Sequence, residues 1–257
     1  MKPALSVLSA AAVLVGGLVL AGPAPAQPSF TEEQRREIGA VVKDYLLKNP
    51  EVLQDVMVEL ERRQQETQTA ARQVALKDSR KQLLGSPRDI VAGDPSGDVT
   101  LVEFFDYNCG YCKRALSDLR VLMKADPKLR VVLKDFPVLG PDSVESARVA
   151  LAVKQQLKGD KLFDYHARLI ETRGKVNSER AMAVAKEVGV DMARLAKDMD
   201  GPEVRAALQE NMALADKLGL TGTPAFVIGD EVISGAVGVE PIRRTLAGVR
   251  QCGKAVC

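Results

Sequence analysis

The chain has 257 residues, 46% of them hydrophobic and 27% charged, with a formal net charge of +2. That is ample for a packed core without metal or disulfide staples, ordinary for a soluble globular protein, and too balanced in charge to make nucleic acid a default partner. A single histidine, His166, excludes chemistry needing two imidazoles; four cysteines are too few to form a scaffold, and the lack of tryptophan argues against base-stacking platforms.

Lys2, an apolar run through Leu20 and the segment Ala21-Gly22-Pro23-Ala24-Pro25-Ala26 have the layout of a secretory signal peptide cleaved after Ala26. An uncleaved anchor is the alternative, and the proline and small residues directly after the run count against it. No cysteine follows the run, so a lipoprotein is not indicated. An exported chain can keep disulfides, which governs how its cysteines are read.

Thr31 with Gln34 forms a capping-box pattern, and Ile38, Val41, Val42, Tyr45 and Leu46 recur at helical spacing, predicting a helix over residues 32–48. Asn49-Pro50 reads as an N-cap with proline at the first helical position, and Val52, Leu53, Val56, Met57 and Leu60 mark the apolar side of a second helix. Residues 61–73 are almost entirely polar but hold neither glycine nor proline, so this helix is expected to continue toward Leu84 as a solvated arm, ended by Gly85-Ser86-Pro87. The arm, residues 27–86, has too little local core to bury its own stripe. It must pack back on the main domain or pair with copies of itself, and self-association is the favoured reading; Arg63 and Thr67 break any sustained heptad.

Beyond the arm the period changes. Residues 89–92 suit a short edge strand, and 99–105 form a β-rich run fit for burial on both faces. A helix over about 110–124 and a strand over 129–136, closed by Pro137 and Gly140-Pro141, complete a βαβ unit whose strands should be parallel. Residues 142–218 hold no convincing strand and read as a helical insertion. Strands return at 225–228 and 231–234 around Gly229-Asp230, a type I′ hairpin signal, and a last helix follows Pro241 to about Arg250. The expected architecture is an α/β domain over 87–257, interrupted by an all-helical insertion and preceded by a helical arm.

Cys109-Gly110-Tyr111-Cys112 stands where a buried strand turns into a helix. Cys109 then lies at the helix N-terminus, where free backbone N–H groups and the positive dipole end stabilise a thiolate, and Cys112 lies one turn in, within disulfide reach. The first sulfur attacks a substrate disulfide and the second resolves the mixed disulfide. A structural disulfide, or half of a zinc site completed by Cys252 and Cys257, is the alternative, and the strand-then-helix context disfavours both. No cofactor and no metal are implied.

Val102-Glu103-Phe104-Phe105-Asp106-Tyr107-Asn108-Cys109-Gly110-Tyr111-Cys112-Lys113, Lys134-Asp135-Phe136-Pro137 and Gly222-Thr223-Pro224 together resemble the DsbA-like group of thioredoxin-fold disulfide oxidoreductases of the bacterial periplasm, over roughly residues 88–250. The resemblance implies that Pro224 is cis and lies beside the Cys109 sulfur. It also implies that the Thr223 backbone pairs with an extended client peptide, with Gly110 and Tyr111 on the client-facing side. It places Glu103 beneath the disulfide as a buried carboxylate able to take the proton from Cys112; the alternative is a strand-edge glutamate with its head in water. Lys134, on the next strand, could pair with Glu103, although exposed lysines are the rule. His166, in the helical insertion, reads as a structural or surface residue.

Strongly oxidising members of that group carry Pro-His between the cysteines, and this chain has Gly110-Tyr111. With no imidazolium there, Cys109 should be less acidic than the extreme of ~3.5. Gly-Tyr with threonine before the cis-proline resembles the periplasmic isomerase DsbC, and the helical arm resembles the ScsC and Com1-type proteins, some of which trimerise through it. These resemblances imply a periplasmic disulfide isomerase or reductase assembled through its arm as a homo-oligomer, a trimer favoured, acting on exported proteins and served by a membrane redox partner. A monomeric or dimeric dithiol oxidase is the alternative, and a redox-inert holdase or copper-buffering protein is an alternative of another class. Cys252 and Cys257 enclose four residues; a structural disulfide is favoured over an auxiliary redox pair, and since neither starts a helix no catalysis is assigned to them.

Overall fold

The computed structural model describes residues 30–257, so the expected signal peptide and its cleavage after Ala26 lie outside the described residues. The chain divides into two compact units at Arg62/Arg63.

In the first unit, helix α1 (Glu32–Lys48) starts on the expected capping box: Thr31 Oγ1 accepts from the Gln34 N–H at 3.2 Å, and the Thr31 N–H donates to Gln34 Oε1 at 2.9 Å. Helix α2 (Glu51–Gly85) follows. Asn49 departs from its expected role, because its side-chain amide donates to the Tyr45 carbonyl at 2.8 Å and so closes α1 instead of opening α2. Asn49 carries both a donor and an acceptor on its amide, and here the donor adds a second hydrogen bond to a last-turn carbonyl that already accepts the Asn49 N–H at 2.9 Å. The apolar stripe of this unit, including Ile38, Val41, Tyr45, Leu53, Met57 and Leu60, is exposed.

In the second unit, the end of α2 is not solvated as expected. It buries Ala75, Leu76, Ser79 and Leu83, which recur at three- and four-residue spacing and form one helix face. That face joins Val102, Phe104 and Val132 in an apolar cluster on one side of the sheet. A β-rich strand buried on both faces needs a helix on each side, and α2 supplies one of them.

The sheet holds five strands in the order β1 (Ile90–Gly93), β3 (Leu129–Asp135), β2 (Val99–Phe105), β4 (Ala225–Ile228), β5 (Glu231–Ser234). β2 and β3 are parallel, as the βαβ reading requires, and every other pairing is antiparallel. α3 (Gly110–Ala125) connects β2 to β3. The insertion comprises α4 (Pro141–Val153), α5 (Gly159–Glu171), α6 (Ser178–Glu187), α7 (Met192–Asp198) and α8 (Pro202–Lys217). α3, α5 and the closing helix α9 (Val239–Cys252) contribute to the larger apolar cluster with Leu101, Phe105, Val131 and Leu133, while α8 adds Leu214 and Ala215 to the α2 side. α9 begins ahead of Pro241, which therefore sits inside its first turn, where a missing N–H costs no intrahelical bond. The hairpin turn places Gly229 at φ +62°, and a Cβ there would come within 2.5 Å of Val249.

Register decides the fate of Lys134. Phe104 pairs with Lys134 and Glu103 with Leu133, so successive side chains send Lys134 to the α2 face and Glu103 to the α3 face. The Glu103–Lys134 pairing considered from sequence does not form. Lys134 is fully buried and instead donates to Asp89 Oδ1 at 2.5 Å and to the Gln82 carbonyl of α2 at 3.0 Å. Burial pushes the Asp89 carboxyl up to about 6, against the opposing pull of the Lys134 charge.

Candidate active site

β2 ends at Phe105, and the chain must turn before α3 can start. Asp106 makes the turn: its Oδ1 accepts the Asn108 N–H at 2.8 Å, and its carbonyl accepts the Cys109 N–H at 3.0 Å. Cys109 is thereby the N-cap of α3, extended at φ −82° and ψ 116°, with its sulfur in the place of a capping oxygen. The Cys112 N–H donates to Cys109 Sγ at 3.4 Å. On the other side the Cys109 thiol donates to the Thr223 carbonyl at 3.2 Å, and the Thr223–Pro224 bond is cis. The residues that the sequence picks out at opposite ends of the domain therefore meet at one sulfur.

The two cysteines are free thiols and differ in their surroundings. Cys109 keeps 5% of its surface exposed and Cys112 none. The hydrogen bond from the Cys112 thiol, helped by Thr223 and by the Cys112 and Tyr111 backbones, holds Cys109 down at about 6 against the opposing effect of burial. Cys112 is pushed far above the ordinary thiol range, first by that same bond to Cys109, then by burial and the Glu103 charge. One thiol is thus prepared as an anion and the other stored as a protonated thiol.

Glu103 is 2% exposed, on the sheet face toward α3, and its Oε1 meets no hydrogen-bonding group of the protein. Burial, and then the charges of Cys109 and Asp118, raise its carboxyl to about 8. Tyr111 is 61% exposed, with the Arg114 guanidinium 5.6 Å from its ring centre, and a Cβ on Gly110 would meet nothing within 4 Å. The ground outside Cys109 is therefore open. His166 is buried in the insertion, its Nδ1 lies 3.2 Å from the Tyr107 hydroxyl, and burial lowers it to about 3, which keeps it neutral. Cys252 and Cys257 are joined by a disulfide at the far end of α9, both exposed.

Sequence reasoning missed Asp106, Asn108 and Asp135. Asp106 accepts four hydrogen bonds and Asn108 uses its whole amide, which only a structure reveals; the signal in the sequence was the short polar pair of an Asx turn just ahead of the cysteines. Asp135 is buried with neither carboxyl oxygen bonded, and burial raises it to about 8. Its place at the end of an apolar strand gave no hint of this.

Residues 100–247 match the DSBA-like thioredoxin domain, and residues 34–66 match the copper resistance protein ScsC N-terminal domain. A thioredoxin-like oxidoreductase from Silicibacter pomeroyi DSS-3 is 42% identical with a TM-score of 0.64, the match covering 67% of this chain and 98% of that one. Proteus mirabilis ScsC in a transitional conformation is 28% identical with a TM-score of 0.62, over 85% of this chain and 97% of that one. The thiol:disulfide interchange protein DsbA of Bordetella pertussis is 27% identical over 146 residues, 56% of this chain and 69% of that protein. The first curated relatives are Na(+)/H(+) antiporters NhaA, and the chain spans only about a quarter of their length, 26% for the Herminiimonas arsenicoxydans protein. No helix among the described residues is long and apolar enough to cross a membrane. With its fold, the cis-proline opposite the first cysteine and a family match over most of its length in agreement, this chain belongs to the DsbA-like thioredoxin-domain family of thiol-disulfide oxidoreductases.

Proposed function

We propose that this protein is a disulfide isomerase or reductase for exported proteins, with Cys109 as nucleophile, Cys112 as resolving thiol and Glu103 as the base that serves Cys112. The observation that carries the reading is the Cys109 sulfur, capping α3 with a Cys112 N–H bonded to it and an acidity near 6. That acidity lies closer to thioredoxin, at about 7, than to the strong oxidant at about 3.5, which favours isomerase or reductase over oxidase. The Cys109 thiolate attacks a client disulfide, forming a Cys109–client bond and releasing the other client sulfur as a thiolate. Attack by a client thiolate on the client sulfur of that bond rearranges the client and frees Cys109. Attack by Cys112 on Cys109, its proton passing to Glu103, instead releases the client reduced and leaves Cys109–Cys112 oxidised, to be re-reduced by a membrane redox partner. Gly110, Tyr111, Thr223 and Pro224 form the client-facing rim, the Thr223 backbone pairing with the client chain once the thiol has reacted.

The rest of the reading concerns assembly and address. Residues 1–26 are a signal removed after Ala26, and the protein works in the periplasm, in keeping with one similar structure, a periplasmic thioredoxin-like protein from Salmonella enterica serovar Typhimurium. The self-associating part of the arm is α1 and early α2, the end of α2 belonging to the catalytic domain whose sheet it covers, with a trimer as the favoured assembly; the exposed apolar stripe of α1 and early α2 supports this. Cys252–Cys257 is a structural clasp. The test is repair of scrambled ribonuclease by the full chain, by Cys109→Ala and by a chain lacking residues 27–62, a cut that spares the α2 face covering the sheet. Loss of repair in both variants, with dithiol oxidation kept only by the shortened one, is expected. Unchanged activity of Cys109→Ala would remove the enzymatic reading, and a monomeric solution mass would remove the assembly.

A further inference from the structure

The loop before Cys109 is tied to the helical insertion by a closed polar network. Asp106 is 2% exposed and all its acceptor sites are filled: Oδ1 by the Asn108 N–H and the Ser143 hydroxyl, both at 2.8 Å, and Oδ2 by the Val138 and Leu139 N–H groups at 2.9 and 3.0 Å. Asn108 forms a double bond of hydrogen bonds with Val176, its Oδ1 accepting the N–H at 2.8 Å and its Nδ2 donating to the carbonyl at 2.9 Å, and donates also to the Ser143 hydroxyl at 3.1 Å. The main chain of the same Asp106 receives the Cys109 N–H.

We propose that Asp106 and Asn108 are positioning residues for thiol-disulfide exchange, locking the turn that presents Cys109 to the loop after β3 and to the helical insertion. The hydrogen bond from the Cys112 N–H to Cys109 Sγ, 3.4 Å long and ordinary for a sulfur acceptor, exists only while the turn holds the sulfur over the start of α3, so a turn that loosens weakens it. Charge-assisted bonds to a buried carboxylate resist that loosening better than neutral ones, and a fully satisfied buried network fixes one geometry. The insertion therefore helps to set the reactivity of a sulfur it does not carry.

This rests on the reading of Cys109 as the nucleophile, and the experiment separates the two. The full-length protein, Asp106→Asn, Asn108→Ala and the control Tyr165→Phe, which deletes a buried hydrogen bond to the Ala181 carbonyl within the insertion, are compared. Each is alkylated with iodoacetamide across pH and equilibrated with glutathione. In Asp106→Asn and Asn108→Ala the midpoint of Cys109 alkylation is expected to rise by about one pH unit, and the equilibrium to move about tenfold toward the disulfide, ~30 mV more reducing. Tyr165→Phe should lose comparable thermal stability and move neither readout. If the Asp106 charge acted alone, Asp106→Asn would lower the midpoint and Asn108→Ala would leave it, a pair of results that overturns the proposal; so does an equal shift in Tyr165→Phe, or no shift in the half-buried Asn108→Ala. An unmodified protein whose Cys109 titrates as an ordinary thiol sinks the nucleophile reading instead.

Discussion

Two pairs of cysteines sit at opposite ends of helices, and the ends explain their different chemistry. Cys109 precedes the first turn of α3, where unpaired N–H groups converge on its sulfur. Cys252 is the last residue of α9, followed by Gly253 in the left-handed conformation, where carbonyls point outward and the dipole is negative. A thiolate is stabilised at the first place and opposed at the second. The first pair is reduced and buried, one member acidic; the second is bonded and exposed. Cysteine spacing alone does not distinguish a reagent from a clasp; the helix end does.

The largest effect that would break this contrast is in turnover. Cys109→Ala is expected to lower insulin reduction by at least about a thousandfold, whereas the double variant Cys252→Ala, Cys257→Ala should stay within about twofold of the parent; comparable losses in both would erase the distinction. Next comes thiol acidity. At pH 7 a thiol titrating near 6 is about nine-tenths ionised, against a few per cent for an ordinary one, and since the weaker nucleophilicity of the more acidic thiolate offsets part of that advantage, mass spectrometry of partly alkylated, fully reduced protein should find Cys109 modified a few times faster than Cys252 or Cys257.

Smaller again is the effect of the buried carboxylate. Glu103→Gln should slow release of the mixed disulfide roughly tenfold at pH 8 and above, where the Glu103 carboxyl is ionised and can take the Cys112 proton, while leaving the first attack intact, a split visible in stopped-flow traces. The same variant tests linkage. Because folding raises the Glu103 carboxyl from 4.5 to about 8, the native state holds a proton that the unfolded chain has lost between those values, so this residue makes the fold progressively less stable as pH rises from about 4.5 to 8. Glu103→Gln should then be the more stable protein in denaturant at pH 8, by at least about 1.4 kcal/mol, the equivalent of one pKa unit, and should lose that advantage near pH 4. Smallest is the clasp: closing so short a loop is worth about 2 kcal/mol at most, so its removal should lower the melting temperature by only a few degrees.

Most of the architecture was legible because it is written in periodicity. The bounds of α1 follow from a cap and helical spacing, those of β2 from a continuous β-rich run and those of β4 and β5 from the Gly229-Asp230 turn between them, and the parallel pair follows from the strand-helix-strand order. What failed depended on partners far away in sequence. The polar look of residues 61–73 concealed the face of α2 that starts at Ala75, since Ala75 and Ser79 announce no core until a bare sheet face is known to need them. Lys134, favoured as an exposed lysine and considered only second as a partner of Glu103, is buried on the opposite sheet face, because register decides which face a strand residue takes. In the site, Cys109, Cys112 and Pro224 were legible from motifs, and their convergence was not, being the product of topology. Asp106 and Asn108 were hidden for a related reason: their partners Val138, Leu139 and Val176 come from loops with no sequence period, and Ser143 from the first turn of α4.

The last turn of α2 contains no basic residue, and the Lys134 ammonium, reaching across from β3, is the cation that meets its Gln82 carbonyl. Tension applied along that helix is consequently delivered to an inner strand of the sheet instead of being relaxed in a surface loop. In an optical trap the helix end and the sheet should yield in a single rip, and two well-separated steps for Lys134→Met, with one for the parent, would mark this side chain as the mechanical coupling.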